Sequence, residues 1–548
     1  MTNDDPMTPP APADDCDPAD ATSMSAAPMD DAVARLRDWA VRRPDATLLL
    51  TRGRRYTYRS FLERAEAVAD GLVSAGIERG QRVALFLEEY DQFFIVVTGA
   101  WLAGAVVVPL NVTLPRRDVD WLVAKAQPRA LIVPADGACP SDGPVRLVVA
   151  ADGDGLMAGI RHERLAVDAG GDAVAETPAP LGLGVDATGS RAVTPVQPDE
   201  LAMILFTSGT TGVPKGACQT LRTLSQNPGL VARVMGLTPD DRVFINTPPY
   251  FTSGICHFFT MMAHGGGVAG QLGFYFGEGL LDELESLGCT GFGGAPAHLV
   301  RVVEPLEGPR SHALRFWVSS GDHLSLHVIE KARRVLPGIG IFNMYGLTEV
   351  SGRLCVLLPG ELDEREGSVG RPIGAMRVTA RDAAGAAVPA GETGELHVTG
   401  PLVMQGYLDE PEITARTLTE NGLRTGDFGH VDADGYVWVA GRKDDIIKRG
   451  GEKVSVVHVQ EALLALGRFH DVAVIAAPDE ILGHVPVAFV VPHEPEGFRG
   501  SRVLRELRDA LPSTSLPSRI FAVERIPRTG SGKAIRAELR RLLEEDAG

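Results

Sequence analysis

Short apolar runs alternate with amphipathic segments over most of this 548-residue chain. Near its start, Val33, Leu36 and Trp39 recur at helical spacing, and a second helical pattern covers 61–75. Apolar runs of strand length follow at 83–87, 105–110 and 130–133. Strand–helix alternation of this kind resumes after 201 and continues to about 375. It predicts parallel sheets covered by helices.

The pattern changes in the last third of the chain. Short strands and turns at 376–439 predict a small β-rich subdomain, and the residues beyond it mix helical patterns with apolar strands. We therefore predict an α/β protein with a disordered tail at 1–26 and a large N-terminal domain at 27–443. A small, mobile α+β C-terminal domain is predicted at 444–548.

Composition and charge narrow the classes of function. The chain is 44% hydrophobic, and its net charge is −18, with eight Asp and no Lys, Arg or Glu in the first 31 residues. A negative net charge argues against nucleic acid or an anionic membrane as the main partner. No apolar stretch reaches membrane-spanning length, the start lacks the basic residues of a signal peptide, and the six cysteines show no C-x-x-C spacing. We expect a cytoplasmic protein with reduced thiols.

One run, FTSGTTGVPKG at 206–216, packs four hydroxyl side chains, three glycines and one lysine into eleven residues. Backbone N–H groups, hydroxyls and an ammonium group in one loop suit a polyphosphate. The run is not a P-loop, because Pro214 precedes Lys215 and Gly216 follows it, where the P-loop needs Gly-Lys-Ser/Thr. Taken alone, the run is also compatible with a flexible surface turn.

Further motifs follow this loop along the chain. They read SGDH at 320–323, NMYGLTE at 343–349, TGD at 425–427, GRKD at 441–444 and PRTGSGK at 527–533. Each has an ordinary explanation on its own, as a turn or an exposed charge cluster. Their joint and ordered occurrence is not explained by independent accidents.

Together, these motifs resemble those of the adenylate-forming superfamily of acyl-CoA synthetases, luciferases and peptide-synthetase adenylation domains. The resemblance covers about 30–545 and is closest to the acyl-CoA synthetases. It implies an acid–thiol ligase that uses ATP and Mg²⁺ to convert a small-molecule carboxylic acid into acyl-AMP and pyrophosphate. Transfer of the acyl group to CoA then releases AMP.

The resemblance also assigns the nucleotide site. It implies that the Tyr345 ring stacks on adenine, that Asn343 bonds the base, and that the Asp427 carboxylate accepts hydrogen bonds from both ribose hydroxyls. The implied ATP-binding residues are Thr207, Ser208, Gly209, Thr210, Thr211, Lys215, Gly321, Asp322, His323, Asn343, Tyr345, Gly346, Asp427 and Arg442.

Three residues are implied to be catalytic, namely Lys533, Thr348 and Glu349. Thr348 would reach the α-phosphate, and Glu349 would hold Mg²⁺ together with Thr207 and phosphate oxygens. The ammonium group of Lys533 suits the negative charge that accumulates at the α-phosphate when a carboxylate attacks it.

The thioester half of the reaction depends on the C-terminal domain. Asp444 is implied to be the hinge, and the implied thiol tunnel consists of Gly450, Gly451 and Glu452. Here the chain departs from the family pattern, because Val456 replaces a common Pro and His458 a common Glu. The alternative of an acyl-adenylate former that passes its product to a carrier protein or partner enzyme therefore stays open. A further alternative is a degenerate relative that only binds nucleotide or acyl ligand, and intact Lys533, Glu349 and Asp427 argue against it.

The acid pocket is expected beyond residue 248, with Tyr250, Phe251, Gly254 and Gly294 in its walls. Phe251 stands where many acyl-CoA synthetases have His, and the chain lacks the Phe-Asp pair with which amino-acid adenylating domains hold an ammonium group. Glycines at 265–267 and 270 and aromatic residues at 274–276 suggest volume with apolar walls. We predict a bulky hydrophobic or aryl acid, from secondary metabolism. The alternative is that these glycines serve turns and helix packing.

Overall fold

The computed structural model describes most of the chain beyond the N-terminal tail. The described residues are 29–134, 145–151, 157–162, 165–167, 173–175, 194–207, 214–271, 279–322, 324–442, 446–449, 452–479, 482–528 and 534–547. The tail predicted at 1–26 lies outside them. Among the helices described, none combines the length and the apolar character that crossing a membrane requires.

Thirteen α-helices lie within the described residues. The first begins where the Asp31 carboxylate accepts hydrogen bonds from the backbone N–H groups of Val33 and Ala34. The helices are α1 (Ala32–Arg42), α2 (Tyr58–Ser74), α3 (Tyr90–Leu102), α4 (Arg116–Ala126), α5 (Leu221–Val234), α6 (Thr252–His264), α7 (Leu280–Ser286), α8 (Pro296–Val303), α9 (Leu326–Val335), α10 (Pro411–Thr417), α11 (Val456–Ala465), α12 (Gly500–Glu506) and α13 (Arg536–Ala547).

Most strands of the same residues are short, as the apolar runs predict, and three in the last third of the chain have ten or eleven residues. The first half of the chain contributes β1 (Thr47–Thr51), β2 (Arg54–Thr57), β3 (Arg82–Leu85), β4 (Val106–Pro109), β5 (Ala130–Val133), β6 (Val145–Ala151), β7 (Met157–His162), β8 (Leu165–Val167), β9 (Ala173–Ala175), β10 (Leu201–Thr207), β11 (Lys215–Thr220), β12 (Arg242–Ile245) and β13 (Gly267–Gly270). The second half contributes β14 (Gly291–Gly294), β15 (Phe316–Ser320), β16 (Gly340–Tyr345), β17 (Cys355–Leu357), β18 (Arg371–Pro372), β19 (Arg377–Arg381), β20 (Gly394–Thr399), β21 (Gly406–Tyr407), β22 (Leu418–Thr419), β23 (Gly422–Val431), β24 (Val437–Arg442), β25 (Ile446–Arg449), β26 (Glu452–Ser455), β27 (Phe469–Asp479), β28 (Gly483–Pro492) and β29 (Arg519–Ala522).

Two large sheets dominate the described residues of the N-terminal part. One has nine strands in the order β18-β17-β16-β15-β14-β12-β13-β1-β2, and the other has eight in the order β21-β11-β10-β4-β3-β5-β6-β7. Neighbours from β1 through β13, β12, β14 and β15 to β16 are parallel, as are β5, β3, β4 and β10. The prediction of parallel, helix-covered sheets is confirmed.

Two helices that are apolar around most of their circumference lie buried in the core, as such helices must. Phe94 of α3 stacks on Phe258 of α6 with ring centroids 3.9 Å apart, and Trp101 of α3 stacks on Phe259 at 5.1 Å. All four rings are buried. This packing fixes the position of α6, whose first turn lies beside the predicted acid pocket.

The β-rich subdomain predicted at 376–439 is confirmed. Strands β19-β20-β23-β22 form one sheet in that order, and β24 pairs with β23. The register of β23 and β24 places Asp427 directly opposite Arg442. Two motifs that lie apart in the sequence, TGD and GRKD, therefore come together through a strand pairing.

The C-terminal part is an α+β unit. Strands β26-β25-β28-β27 form its sheet with β29 beside β28, and helices α11 to α13 pack on it. Its contacts with the preceding part include Glu304 Oε1, which lies 2.7 Å from both His470 Nδ1 and His493 Nε2. A cleft of about 920 Å³ lies between the two parts. The domain boundary at 443/444 stays a prediction, since 443–445 lie outside the described residues.

Candidate active site

Several of the predicted nucleotide and acid residues lie at one edge of the nine-stranded sheet. Gly294 ends β14, Gly321 and Asp322 follow β15, and Tyr345 ends β16. These strands are parallel neighbours, so their carboxyl ends meet at the same edge. In open α/β sheets, ligands bind in the crevice outside such carboxyl ends.

The glycine- and hydroxyl-rich run connects two antiparallel strands. Thr207 ends β10 and Lys215 begins β11, and the two residues are register partners. Lys215 Nζ lies 5.6 Å from the centroid of the Tyr407 ring. A strand follows the loop, whereas a helix follows a P-loop, which agrees with the missing P-loop signature. Residues 208–213 of the loop lie outside the described set, and they include the predicted ATP-binding residues Ser208, Gly209, Thr210 and Thr211.

An aromatic residue and two charged residues form the predicted adenosine site. The Tyr345 hydroxyl donates a 2.5 Å hydrogen bond to Asp427 Oδ2, and Arg442 Nε lies 3.4 Å from Asp427 Oδ1. Burial, and then the neighbouring Asp427 carboxylate, raises the pKa of Tyr345 well above its ordinary value, so the phenol stays protonated. Asn343 is buried, and its amide donates to the Ser368 carbonyl oxygen at 3.0 Å. These contacts bring three motifs together in space.

The two residues of the NMYGLTE motif that are predicted to be catalytic, Thr348 and Glu349, are held by partners from other elements. Thr348 Oγ1 lies 3.0 Å from Thr252 Oγ1 of α6, and the Thr348 carbonyl oxygen accepts a 2.7 Å hydrogen bond from Gln219 Nε2. The Tyr407 hydroxyl donates to Glu349 Oε1 at 2.8 Å. Burial, and then Glu349, raises the pKa of Tyr407, which keeps it a donor. Carboxylate and hydroxyl oxygens are the donor set that Mg²⁺ prefers, so Glu349 and Thr207 fit the predicted metal role.

Glycine is required at one position within this motif. A Cβ atom on Gly346 would lie 1.6 Å from the carbonyl oxygen of Gly352, so no other residue fits without moving the backbone. The glycine therefore lets the chain turn back on itself between Tyr345 and the 3₁₀ turn Thr348–Val350.

The C-terminal motif reaches the nucleotide site through Arg528. Its guanidinium lies 3.3 Å from Asp322 Oδ2 and forms two hydrogen bonds with Asp471, at 2.9 and 2.6 Å. Asp322 belongs to the predicted adenine loop, in which Gly321 has a φ of +95°. The start of the PRTGSGK motif thus lies against the loop that the resemblance assigns to adenine.

The predicted acid-pocket residues surround the start of α6. Phe251 precedes the helix, and its ring centroid lies 4.9 Å from that of the buried Tyr250. A Cβ atom on Gly254 would lie 2.5 Å from the Pro248 carbonyl oxygen, and one on Gly294 would lie 2.6 Å from His298 Nδ1. Close packing explains why these two positions are glycine, and their contact with an acid stays a prediction.

The glycines at 265–270 do not open a pocket, so the prediction that they leave volume for the acid is wrong. A Cβ atom on Gly265 would lie 2.8 Å from the Trp39 ring, and one on Gly270 would lie 2.7 Å from the ring of Tyr90. The packing alternative accounts for them. The aromatic residues at 274–276 lie outside the described residues.

Several other predicted residues also fall outside the described part of the chain. They are His323, Asp444, Gly450, Gly451 and Lys533. Glu452 is the first residue of β26.

Five residues of the site were not predicted from the sequence. Arg528 was visible within its motif, but its partner Asp322 lies 206 positions away. Thr252 contacts Thr348 and Tyr407 contacts Glu349, and His257 and Arg353 lie side by side at 3.1 Å. No local pattern marks these four, because each acts through a residue that is distant in sequence.

Comparisons with known proteins agree with this geometry. The AMP-binding enzyme family matches residues 36–408, and the AMP-binding enzyme C-terminal domain matches 458–533. The chain is 30% identical to a medium-chain fatty-acid–CoA ligase of Escherichia coli (strain K12), over 90% of this chain and 88% of that protein. It is 31% identical to a feruloyl-CoA synthase of an Amycolatopsis species, over 92% and 98%.

A solved structure shares the fold over nearly the whole chain. The crystal structure of ATP-bound MatB from Rhodopseudomonas palustris superposes with a TM-score of 0.78 at 25% identity, covering 95% of this chain and 100% of that one. The chain therefore belongs to the AMP-binding enzyme family, as an AMP-forming acid–thiol ligase that uses ATP, Mg²⁺ and CoA.

Proposed function

We propose that the described site carries out adenylation with the residue roles that its motifs imply, on an acid that is bulky and hydrophobic or aromatic. One observation carries the assignment of roles: Thr348 and Glu349 of one motif and Asp427 of another are each held by a specific hydrogen bond close to the carboxyl end of β16. A group held in this way needs little reorganisation when the substrate arrives.

The chemistry takes place in two steps. A carboxylate oxygen forms a bond to the α-phosphorus while the bond to pyrophosphate breaks, and Thr348 and Lys533 stabilise the charge at that phosphate. Glu349 and Thr207 hold Mg²⁺, which neutralises phosphate charge when bound. A thiol sulfur then attacks the acyl carbon and AMP leaves.

The adenosine end of the nucleotide is held by groups that are already in position. The Tyr345 hydroxyl donates a hydrogen bond to Asp427 Oδ2, and Arg442 Nε lies near Asp427 Oδ1. These two contacts fix the orientation of the carboxylate before ribose binds. A carboxylate accepts several hydrogen bonds, which leaves capacity for the ribose hydroxyls. Asp427 is 8% exposed, so these bonds form in partly desolvated surroundings.

Aromatic residues at the site and the names of two relatives both support a bulky hydrophobic or aryl acid. Phe251 and Tyr250 place aromatic surface at the start of α6, beside Thr252 and Thr348. The relatives named above are a medium-chain fatty-acid–CoA ligase and a feruloyl-CoA synthase. Their named substrates are one aliphatic and one aryl acid of substantial size.

The test is ATP–pyrophosphate exchange over a panel of acetate, long-chain, aryl and polycyclic acids, each repeated with CoA and an acyl-CoA readout. We expect exchange and acyl-CoA formation with one of the larger classes. Turnover only with acetate or propionate would refute the bulky-acid assignment while leaving the ligase reaction intact.

A carrier-protein thiol is a second candidate acceptor, because Val456 and His458 depart from the family pattern close in sequence to the proposed thiol tunnel of Gly450, Gly451 and Glu452. Asp444 is the proposed hinge between domains at 27–443 and 444–548. Exchange without acyl-CoA, followed by acylation of an added carrier protein, would identify that acceptor.

A further inference from the structure

Arg353 and His257 lie buried beside each other next to the catalytic segment. A terminal guanidinium nitrogen of Arg353 is 3.1 Å from His257 Nε2. Each residue keeps 6% of its surface exposed, so both are buried without being completely sealed. Neither belongs to the motifs that define the adenylation reaction.

The guanidinium lacks an ion-pair partner within the described part of the chain. Arginine stays protonated in proteins, and an unpaired buried charge is strongly destabilising. His257 does not compensate, because burial, and then the neighbouring Arg353, lowers its pKa well below the ordinary value and keeps the ring neutral. The neutral ring accepts a hydrogen bond from Arg353 at Nε2 and carries its own proton on Nδ1. The pair therefore offers N–H donors and one positive charge.

The pair lies deeper along α6 than the reacting centre. Thr252, in the first turn of α6, contacts the catalytic Thr348. His257 is five residues further on, which corresponds to about 7 Å along the helix axis. The segment after Thr348 follows the same helix, since the Ser351 carbonyl oxygen accepts a 3.1 Å hydrogen bond from Cys256 Sγ. Thr348 and Thr252 form one contact between this segment and α6, and Arg353 and His257 form a second contact further from the reacting centre.

Strand β14, the second wall of the predicted acid pocket, also contacts His257. A Cβ atom on Gly293 of β14 would lie 2.4 Å from His257 Cε1, so the imidazole ring packs directly on this strand. Gly293 comes immediately before Gly294, at the sheet edge where the site residues gather. The α6 wall and the β14 wall of the predicted acid pocket therefore converge at the Arg353–His257 pair.

We propose that Arg353 and His257 bind a second anionic group, a carboxylate or a sulfonate, carried by the acid whose reacting carboxylate is activated beside Thr348. The rise along α6 from Thr252 to His257 sets the scale of the separation between the two acid groups of the substrate, and hydrophobic or aryl carbon fills it. The substrate anion supplies a negative charge that pairs with the guanidinium of Arg353. The planar guanidinium suits a carboxylate or a sulfonate. This inference rests on the proposed function, because it extends the same acid site.

The first experiment compares acids that differ only at the distal group, by ATP–pyrophosphate exchange on the full-length protein. The aliphatic set is adipate, monomethyl adipate and hexanoate, and the aryl set is terephthalate, its monomethyl ester and para-sulfobenzoate. We expect kcat/KM to be about 100-fold higher for a diacid than for its monoester, because a buried charged donor is left unpaired by the ester. The para-sulfobenzoate arm separates sulfonate from carboxylate recognition.

The second experiment removes the distal charge. Arg353→Met keeps the length of the side chain, and we expect it to lower kcat/KM for the preferred diacid about 100-fold while the value for its monoester stays equal or rises. Arg353→Lys, which keeps a charge, should retain part of the diacid preference and replaces the Met variant if that one does not fold. The matched control is Arg334→Met on α9, an exposed arginine, which should change neither value.

The outcomes separate the two proposals. Exchange with no acid at all would overturn the proposed function and the second-anion site with it. Exchange with monoesters at the same kcat/KM as diacids, unchanged in Arg353→Met, would overturn the second-anion site alone. Equal losses on diacid and monoester in Arg353→Met would assign Arg353 a purely structural role and would also overturn it.

Discussion

The hydrogen bond from Tyr407 to Glu349 gives a sharp test of the proposed Mg²⁺ site. Tyr407→Phe removes the hydroxyl and keeps the ring, so the contact with Lys215 is retained. A hydrogen bond to a charged group contributes about 1.5–3 kcal/mol, which corresponds to a roughly 10- to 150-fold effect. Loss of an outer partner of a metal ligand has a similar effect, about 10- to 100-fold. We therefore expect the variant to need at least about tenfold more Mg²⁺ for half-maximal ATP–pyrophosphate exchange.

A matched control is available elsewhere in the same protein. The Tyr436 hydroxyl donates a 2.7 Å hydrogen bond to Glu361, the same pair of groups without a residue of the proposed metal site. Tyr436→Phe should leave the Mg²⁺ dependence of exchange unchanged. If Tyr407→Phe also matched the wild type, or if both variants shifted equally, Glu349 would not be the carboxylate that holds the metal.

Three further changes have defined outcomes. Lys533→Ala should lower the rate of ATP–pyrophosphate exchange by about 100- to 1,000-fold without changing the melting temperature; unchanged exchange would remove its catalytic role. Gly293→Ala should raise KM for the acid and lower the free energy of unfolding in urea by about 1–3 kcal/mol, because the new Cβ would overlap His257; wild-type values would show that the ring moves freely. Burial raises the pKa of Asp241, but the hydrogen bonds it accepts, from Arg315 among others, bring the net value below the ordinary one. Its contribution to stability is therefore complete above about pH 4 and is lost as pH falls below that, so Asp241→Asn should flatten the acid side of the stability–pH curve, and an unchanged curve would contradict this.

Local patterns predicted the elements because periodicity and turn residues are local properties. The apolar run at 130–133 coincides with β5, and the helix predicted at 61–75 corresponds to α2, Tyr58–Ser74. The earlier start of α2 comes from Thr57, whose side chain caps the helix and pairs with Ser60. Capping depends on side-chain direction, which hydrophobic periodicity does not report.

The partners within the site could not be predicted in the same way. Tyr407 and Glu349 are 58 positions apart, and His257 and Arg353 are 96 apart. Such pairs depend on which strands become neighbours, and the order of the two large sheets is a tertiary property. The role of a glycine is also ambiguous in a sequence, because it depends on which distant residues pack against it. Gly265 accommodates the Trp39 ring, whereas the same residue type in a sequence equally suggests an open pocket.

The departures from the family pattern after Gly451 concern the start of a helix. Ser455 caps α11, accepting a hydrogen bond from the His458 backbone N–H, so Val456 and His458 are its first and third residues. A proline at the first position and a glutamate at the third are residues that favour helix starts, the latter by completing a capping box. Their replacement by Val456 and His458 weakens the start of α11. His458 is exposed, which fits a capping position. The altered residues therefore bear on the stability of the C-terminal domain, and they leave CoA as the expected acceptor.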